Sequence, residues 1–230
     1  MQALALIVGA GDGLSAALAR SFARDGGYRI VLASRHPERV AALAAELGAT
    51  ALACDATDPA QVAALFERID RDAPGALELV VYNPGRRVPG TIVEVDAAAV
   101  ADALAVNAYG GFLVAQQAAR RMLAQGRGTL LFTGASASVK GYARSAAFAM
   151  GKFALRGLAQ SLARELAPQG VHVAHVVIDG SIAHPQRAAS ETPDGQLDPA
   201  AIAAEYLRLA RQPRSAWSWE TELRPWVERF

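Results

Sequence analysis

Near its start the chain reads Leu4-Ala5-Leu6-Ile7-Val8-Gly9-Ala10-Gly11-Asp12-Gly13-Leu14-Ser15. Five apolar residues make a short buried strand. The glycines behind it open a helix whose apolar positions, Leu14, Ala17, Leu18 and Phe22, recur at helical spacing. The unit then repeats. Residues 29–33, 50–53, 77–82, 129–133 and 171–178 read as further strands. Residues 37–47, 100–123, 147–166 and a run behind Asp58-Pro59 (Val62, Leu65, Phe66, Ile69) read as the helices between them. Pro37 suits a first helical turn and Asp58 an N-cap, while Pro168 and Gly170 stop the helix before the sixth strand. Strands that are apolar throughout are buried on both faces. The pattern therefore predicts an α/β fold, a doubly wound parallel sheet with right-handed crossovers and helices on both faces.

Past the sixth strand, residues 184–197 are rich in Pro, Ser, Thr, Asp and Gly and read as a mobile loop, about 184–198, that would cover a substrate. Residues 199–211 look helical. Trp217, Trp219, Thr221 and Leu223 then alternate with polar residues like a last strand. Trp226 and Phe230 are expected to pack on the core or on a second subunit.

The 230 residues suit a single domain over 1–230, and 52% hydrophobic content supplies a core. A net charge of +1 gives no footprint for nucleic acid or an anionic membrane. One cysteine, Cys54, excludes an internal disulfide and fits a reducing compartment. Residues 1–8 lack a basic leader region and run straight into glycines, so they read as neither signal peptide nor membrane span. The expectation is a soluble, cytoplasmic chain. The four histidines are sparse, so no metal site is expected.

The glycine turn points to a phosphate ligand, because glycine permits close backbone approach and a helix N-terminus presents free N–H groups to an anion. The spacing G-x-G-x-x-G fails at Leu14. G-x-x-x-G-x-G takes Gly9 and Gly13 and ends on Ser15.

Further segments follow in order: Cys54-Asp55-Ala56-Thr57-Asp58, Asn83-Pro84-Gly85, Asn107, Lys152, and Asp179-Gly180-Ser181-Ile182. With these the chain resembles the short-chain dehydrogenase/reductase family over nearly its whole length. The resemblance implies a Rossmann-like sheet of about seven strands in the order 3-2-1-4-5-6-7. It also implies a nicotinamide dinucleotide held by Gly9, Gly13, Leu14, Ser15, Asp55, Ala56, Asn83, Gly85, Lys152, Gly180 and Ile182. Asp55 would face the adenine amine, Lys152 the nicotinamide ribose, and the backbone near Ile182 the nicotinamide amide. Asn107 and Lys152 match two of the family's four catalytic positions. A homodimer or homotetramer would form through the helices 100–123 and 147–166 and the last strand. Simpler roles stand beside these: helix capping for Asp55 or Asp58, a turn for Asn83, a helix kink for Asn107, and a small buried hydrophobe for Cys54.

The tip of the second strand is Ala33-Ser34-Arg35-His36, with no acid to bind the ribose hydroxyls of NAD. Arg35 can pair with a 2′-phosphate, which favours NADP(H) over NAD(H).

The family's catalytic Tyr stands four residues before the Lys, and its Ser thirteen before the Tyr. Here those positions are Phe148 and Ala135. Phenylalanine has no proton to give, and a positioned general acid contributes about 10²–10⁴ in rate. Ser136, Tyr142 and His184 are candidate substitutes, with a strand-end cap, a surface tyrosine and a loop histidine as the plainer alternatives; His172 and His175 read as structural. Two functions stand open. One is hydride transfer to or from a small carbonyl, alcohol or enone with a non-standard proton donor. The other is an NADP(H)-binding sensor or partner subunit impaired in catalysis.

Overall fold

The computed structural model describes residues 2–73, 75–184, 186 and 188–228. Leu4–Val8 (β1) is buried along its length. Arg29–Ser34 (β2) and Leu77–Tyr82 (β4) pair with it in parallel, and Thr50–Ala53 (β3) pairs with β2. Gly128–Thr133 (β5), Val171–Ile178 (β6) and Glu220–Leu223 (β7) extend the sheet beyond β4. The strands are all parallel, as the alternation of strands and helices predicts, and their order is 3-2-1-4-5-6-7, as the resemblance implies.

Side chains of a strand alternate between faces, so β1 serves two cores. Leu4, Leu6 and Val8 pack with Val62, Leu65 and Phe66 of Pro59–Asp72 (α3), Leu113 of Gly110–Gln125 (α5) and Leu155 of Ala146–Leu166 (α6). Ala5 and Ile7 pack with Leu18 and Phe22 of Leu14–Arg24 (α1), Leu43 of Ala41–Leu47 (α2) and Tyr206 of Pro199–Ala210 (α7). Asp58 and Asp198 cap α3 and α7 by accepting from amides of the first turn.

Several details differ from the sequence reading. The stretch 37–47 is a 3₁₀ turn, Pro37–Val40, followed by the short α2. The helix expected over 100–123 begins earlier, at Ala97 behind the Asp96 cap. It is broken into Ala97–Leu104 (α4), a π-helical turn Ala105–Tyr109, and α5. Packing against β4 accounts for the break: the Tyr82 hydroxyl donates to the Val106 carbonyl at 2.6 Å, and a Cβ on Gly110 would lie 2.5 Å from that hydroxyl oxygen. By length and composition the run Ala97–Gln125 would suffice to cross a membrane, yet Leu113, Val114, Ala118 and Met122 are buried in the core.

The segment 184–198 is closed at its base, where Ile182 pairs with the buried Leu197. Trp226 does not join the core: it is 74% exposed, its indole N–H donating to Pro193 O. Phe230 lies outside the described residues.

Candidate functional site

The chain reverses direction across the sheet between β1 and β4, and a cleft of ≈ 680 Å³ opens there beyond the strands' carboxyl ends. The glycine turn forms one wall. Gly9 has φ +80°, and a Cβ there would meet Pro84 N at 2.8 Å, so only glycine fits. Ser15 Oγ donates to Gly9 O at 3.0 Å and accepts from Asn83 Nδ2 at 2.8 Å. The serine at the third fingerprint position thus latches the turn to the end of β4, and Asn83 is its partner instead of a turn former bonded to its own backbone. Leu14 is buried in the core beneath. No side chain caps α1 at Gly13, which leaves its first amides for an anion.

The opposite wall carries Ser34, Arg35 and Arg39. Both guanidinium groups line the cleft, and among the described residues neither has an ion-pair partner. Arg39 escaped the sequence reading; its only signal was a position one turn beyond Arg35.

Asp55, Ala56 and Gly85 also line the cleft. Asp55 Oδ1 accepts from Thr57 N at 2.9 Å and Thr57 Oγ1 at 2.7 Å, so this carboxylate shapes its own turn while facing the cavity. Cys54 is buried, and burial with the nearby Asp55 pushes its thiol up to about 11, which leaves it inert.

Deeper in the site lies Lys152, 3% exposed. Its Nζ donates to Thr133 O at 2.8 Å and to Pro84 O at 3.2 Å. Burial, then the charge of Arg87, push its pKa down to about 7. Asn107, fully buried in the π-helical turn, clasps one residue of the neighbouring loop: Oδ1 accepts from Arg86 N at 3.0 Å and Nδ2 donates to Arg86 O at 2.8 Å. The approach of α6 requires Gly151, where a Cβ would lie 2.5 Å from Asn107 Cβ.

Phe148 packs with Ala135 and Ala137. Its ring centroid lies 5.9 Å from Lys152 Nζ and 4.5 Å from the guanidinium carbon of Arg87. Ser138 Oγ is buried and accepts from Ala135 N. Ser136 is half-buried and its hydroxyl has no partner among the described residues.

The remaining candidates have contacts of their own. Tyr142 is 44% exposed, with the Lys140 ammonium 5.7 Å from its ring centre. Its hydrogen bond to Lys140, followed by the charge of Asp179, raises the lysine above its usual range. Asp179 is buried at the end of β6 and pairs with Lys140 at 3.4 Å and Arg224 at 3.5 Å. Gly180 packs on Pro225, and Ile182 is engaged with Leu197. His184 lies over the glycine turn: its Nε2 is 3.2 Å from Asp12 Oδ1, and its ring would touch a Cβ on Gly13 at 3.0 Å. His172 and His175 are buried within β6, as structural histidines would be. Among the described residues no group of three His, Cys, Asp or Glu could hold a metal.

Comparison with known proteins matches residues 3–191 to the family model described as short chain dehydrogenase. A cyclic-di-GMP-binding biofilm dispersal mediator protein of Escherichia coli is 32% identical over 177 residues, covering 77% of this chain and 72% of that protein. A short-chain dehydrogenase from Rhodopseudomonas palustris superposes with a TM-score of 0.83 at 36% identity, covering 97% of this chain and 99% of the other. A metagenomic short-chain oxidoreductase in complex with NADP gives a TM-score of 0.83 at 27% identity, with 98% of each chain covered.

Proposed function

The chain belongs to the short-chain dehydrogenase family and is an oxidoreductase of that type; from this premise we propose that it binds NADP(H) in the cleft at β1 and β4. It would act on a small carbonyl, alcohol or enone without the family's catalytic phenol. The observation that carries the reading is the pair Arg35, just past the tip of β2, and Arg39, in the 3₁₀ turn behind it, two residues without acid partners among the described residues that line the same cleft as the glycine turn. A carboxylate at that tip would repel a 2′-phosphate, whereas two planar cations attract one. The metagenomic relative, which binds NADP, supports the same choice.

When bound, the dinucleotide supplies or accepts hydride at its nicotinamide ring. The chain's own groups do the rest. Asn83 and Ser15 hold the phosphate turn in shape. Lys152 Nζ, fixed by two carbonyls and shifted toward neutrality, holds a proton that it can exchange near pH 7. Phe148 and Ala135 stand where the family has Tyr and Ser and contribute only an apolar wall. The substrate oxygen therefore depends on Lys152, the free hydroxyl of Ser136, or water.

Calorimetry with NADPH and NADH tests this reading. NADPH should bind at least tenfold tighter, and Arg35→Ala with Arg39→Ala should remove that difference while sparing NADH. Absence of binding by either dinucleotide would refute it. Binding without turnover across a carbonyl and enone panel would favour the sensor or partner-subunit reading. That second reading has one observation behind it: the E. coli relative is named for binding a nucleotide and mediating a response.

A homo-oligomer belongs to the same proposal. Tyr109, Phe112, Met150 and Phe153 are each more than 40% exposed on α5, α6 and the π-helical turn. With Leu104, Ala108 and Leu158 nearby they form an apolar face suited to a second copy of the chain.

A further inference from the structure

The inference rests on the oxidoreductase reading and narrows its substrate. Arg86 and Arg87 are neighbours with different fates. Arg86 has an acid partner, Asp102, at 3.7 Å. Arg87 is exposed and has none among the described residues; its one contact of this kind is the face of Phe148. Lys152 approaches the same ring and likewise has no carboxylate beside it, only two carbonyls. At the end of β6, by contrast, the cations are matched, since Asp179 holds both Lys140 and Arg224. Arg87 and Lys152 meet about one apolar floor, Phe148 with Ala135 and Ala137, with no carboxylate paired to either among the described residues.

The arginine is also held in place. Asn107 grips the N–H and C=O of Arg86, which fixes the backbone one residue before Arg87. Lys152 reaches the carbonyl of Pro84 from the other side. A guanidinium seated on an aromatic ring still presents N–H groups along its edge, in the fork that matches a carboxylate. Preorganisation of this kind is wasted on a solvated surface arginine. We propose that Arg87 binds the carboxylate of the substrate, which is a carbonyl or alcohol compound bearing an acid group, at the free edge of the guanidinium that sits on Phe148.

The test is binding to the NADPH-loaded protein. Calorimetry would compare 2-, 3- and 4-oxo acids with their methyl esters for the wild type, Arg87→Gln and Arg87→Lys. At least one acid should bind ten or more times tighter than its ester. Arg87→Gln should bring that ratio within twofold, and Arg87→Lys, which keeps charge but loses the fork, should fall between. NADPH affinity should change far less than the acid-to-ester ratio, because Arg87 is not among the residues lining the cleft at the glycine turn and β2. Equal binding of acid and ester by the wild type, no binding of either, or an acid preference that survives Arg87→Gln would overturn the proposal while leaving the cofactor reading intact. Failure of the wild type to bind NADPH would overturn both.

Discussion

Nδ1 of His175 lies 3.0 Å from a carboxylate oxygen of Glu220, across the seam between β6 and β7. The imidazole is fully buried, and its Nε2, against Gly134, has no partner. A neutral ring that donates from Nδ1 satisfies this geometry, whereas a protonated ring would strand an N–H at Nε2. Burial accordingly pushes His175 down to about 4, overcoming the attraction of Glu220. An unfolded histidine takes its proton near ~6.5, so the unfolded state binds more protons between these values and stability falls as the pH drops through that window. The expected loss is roughly 3 kcal/mol between pH 7 and 4. Urea midpoints at both ends of the range, with His175→Gln as control, check this. The variant should lose much less on acidification, and an equal loss would refute the assignment.

Lys152 titrates on the other side of neutrality. Its pKa is held at about 7 in the folded chain, against ~10.4 for a solvated lysine. Between those values the unfolded state carries the extra proton, so the folded state gains stability as the pH rises from 7. The gain is roughly 2–3 kcal/mol by pH 9. Lys152→Met removes the titration and should flatten that part of the stability curve while weakening NADPH binding at least tenfold. A parallel curve in the variant would show that Lys152 does not carry the shift.

How far these groups could be read from sequence depends on where their partners lie. The strand-to-glycine turn at Leu4–Val8 is a local signal, and so is the cap at Asp58, because strand, turn and cap are settled by neighbours a few residues apart. Asn107 and Lys152 were legible through the order of short motifs. The π-helical turn was not: it exists because Tyr82, 24 residues earlier, bonds to Val106. Arg87 looked like one arginine among many until Phe148 came beneath it. His184 finds Asp12 across 172 residues, a pairing that only the closed sheet creates.

The apolar face on α5 and α6 gives a third expectation. Phe112 and Phe153 are 43% and 44% exposed, and neither supports the core. Replacing both by Glu would place like charges opposite each other in a symmetric contact and should convert the wild-type oligomer to monomer with little change in thermal midpoint. Light scattering coupled to size exclusion reads the outcome directly. A wild type that is already monomeric at tens of micromolar would refute the proposed assembly.

Restoring the missing hydroxyls tests the reading of Phe148 and Ala135. The Phe148 ring is 7% exposed and lies 5.9 Å from Lys152 Nζ, so a phenol there would lie within the influence of that charge, which favours its ionised form. Ala135 is 8% exposed on the same apolar floor. Phe148→Tyr with Ala135→Ser changes volume little and should leave NADPH affinity unchanged. It should raise kcat toward carbonyl substrates about 10–100-fold, a part of the ~10²–10⁴ that a positioned general acid contributes, because Arg87 already sits 4.5 Å above the ring and competes for the new oxygen. Adding Arg87→Gln to the double variant should then raise kcat further on neutral carbonyls and lower it on oxo acids. A double variant no faster than the wild type, with NADPH bound and the fold intact, would mean that positions 148 and 135 do not face the reacting oxygen.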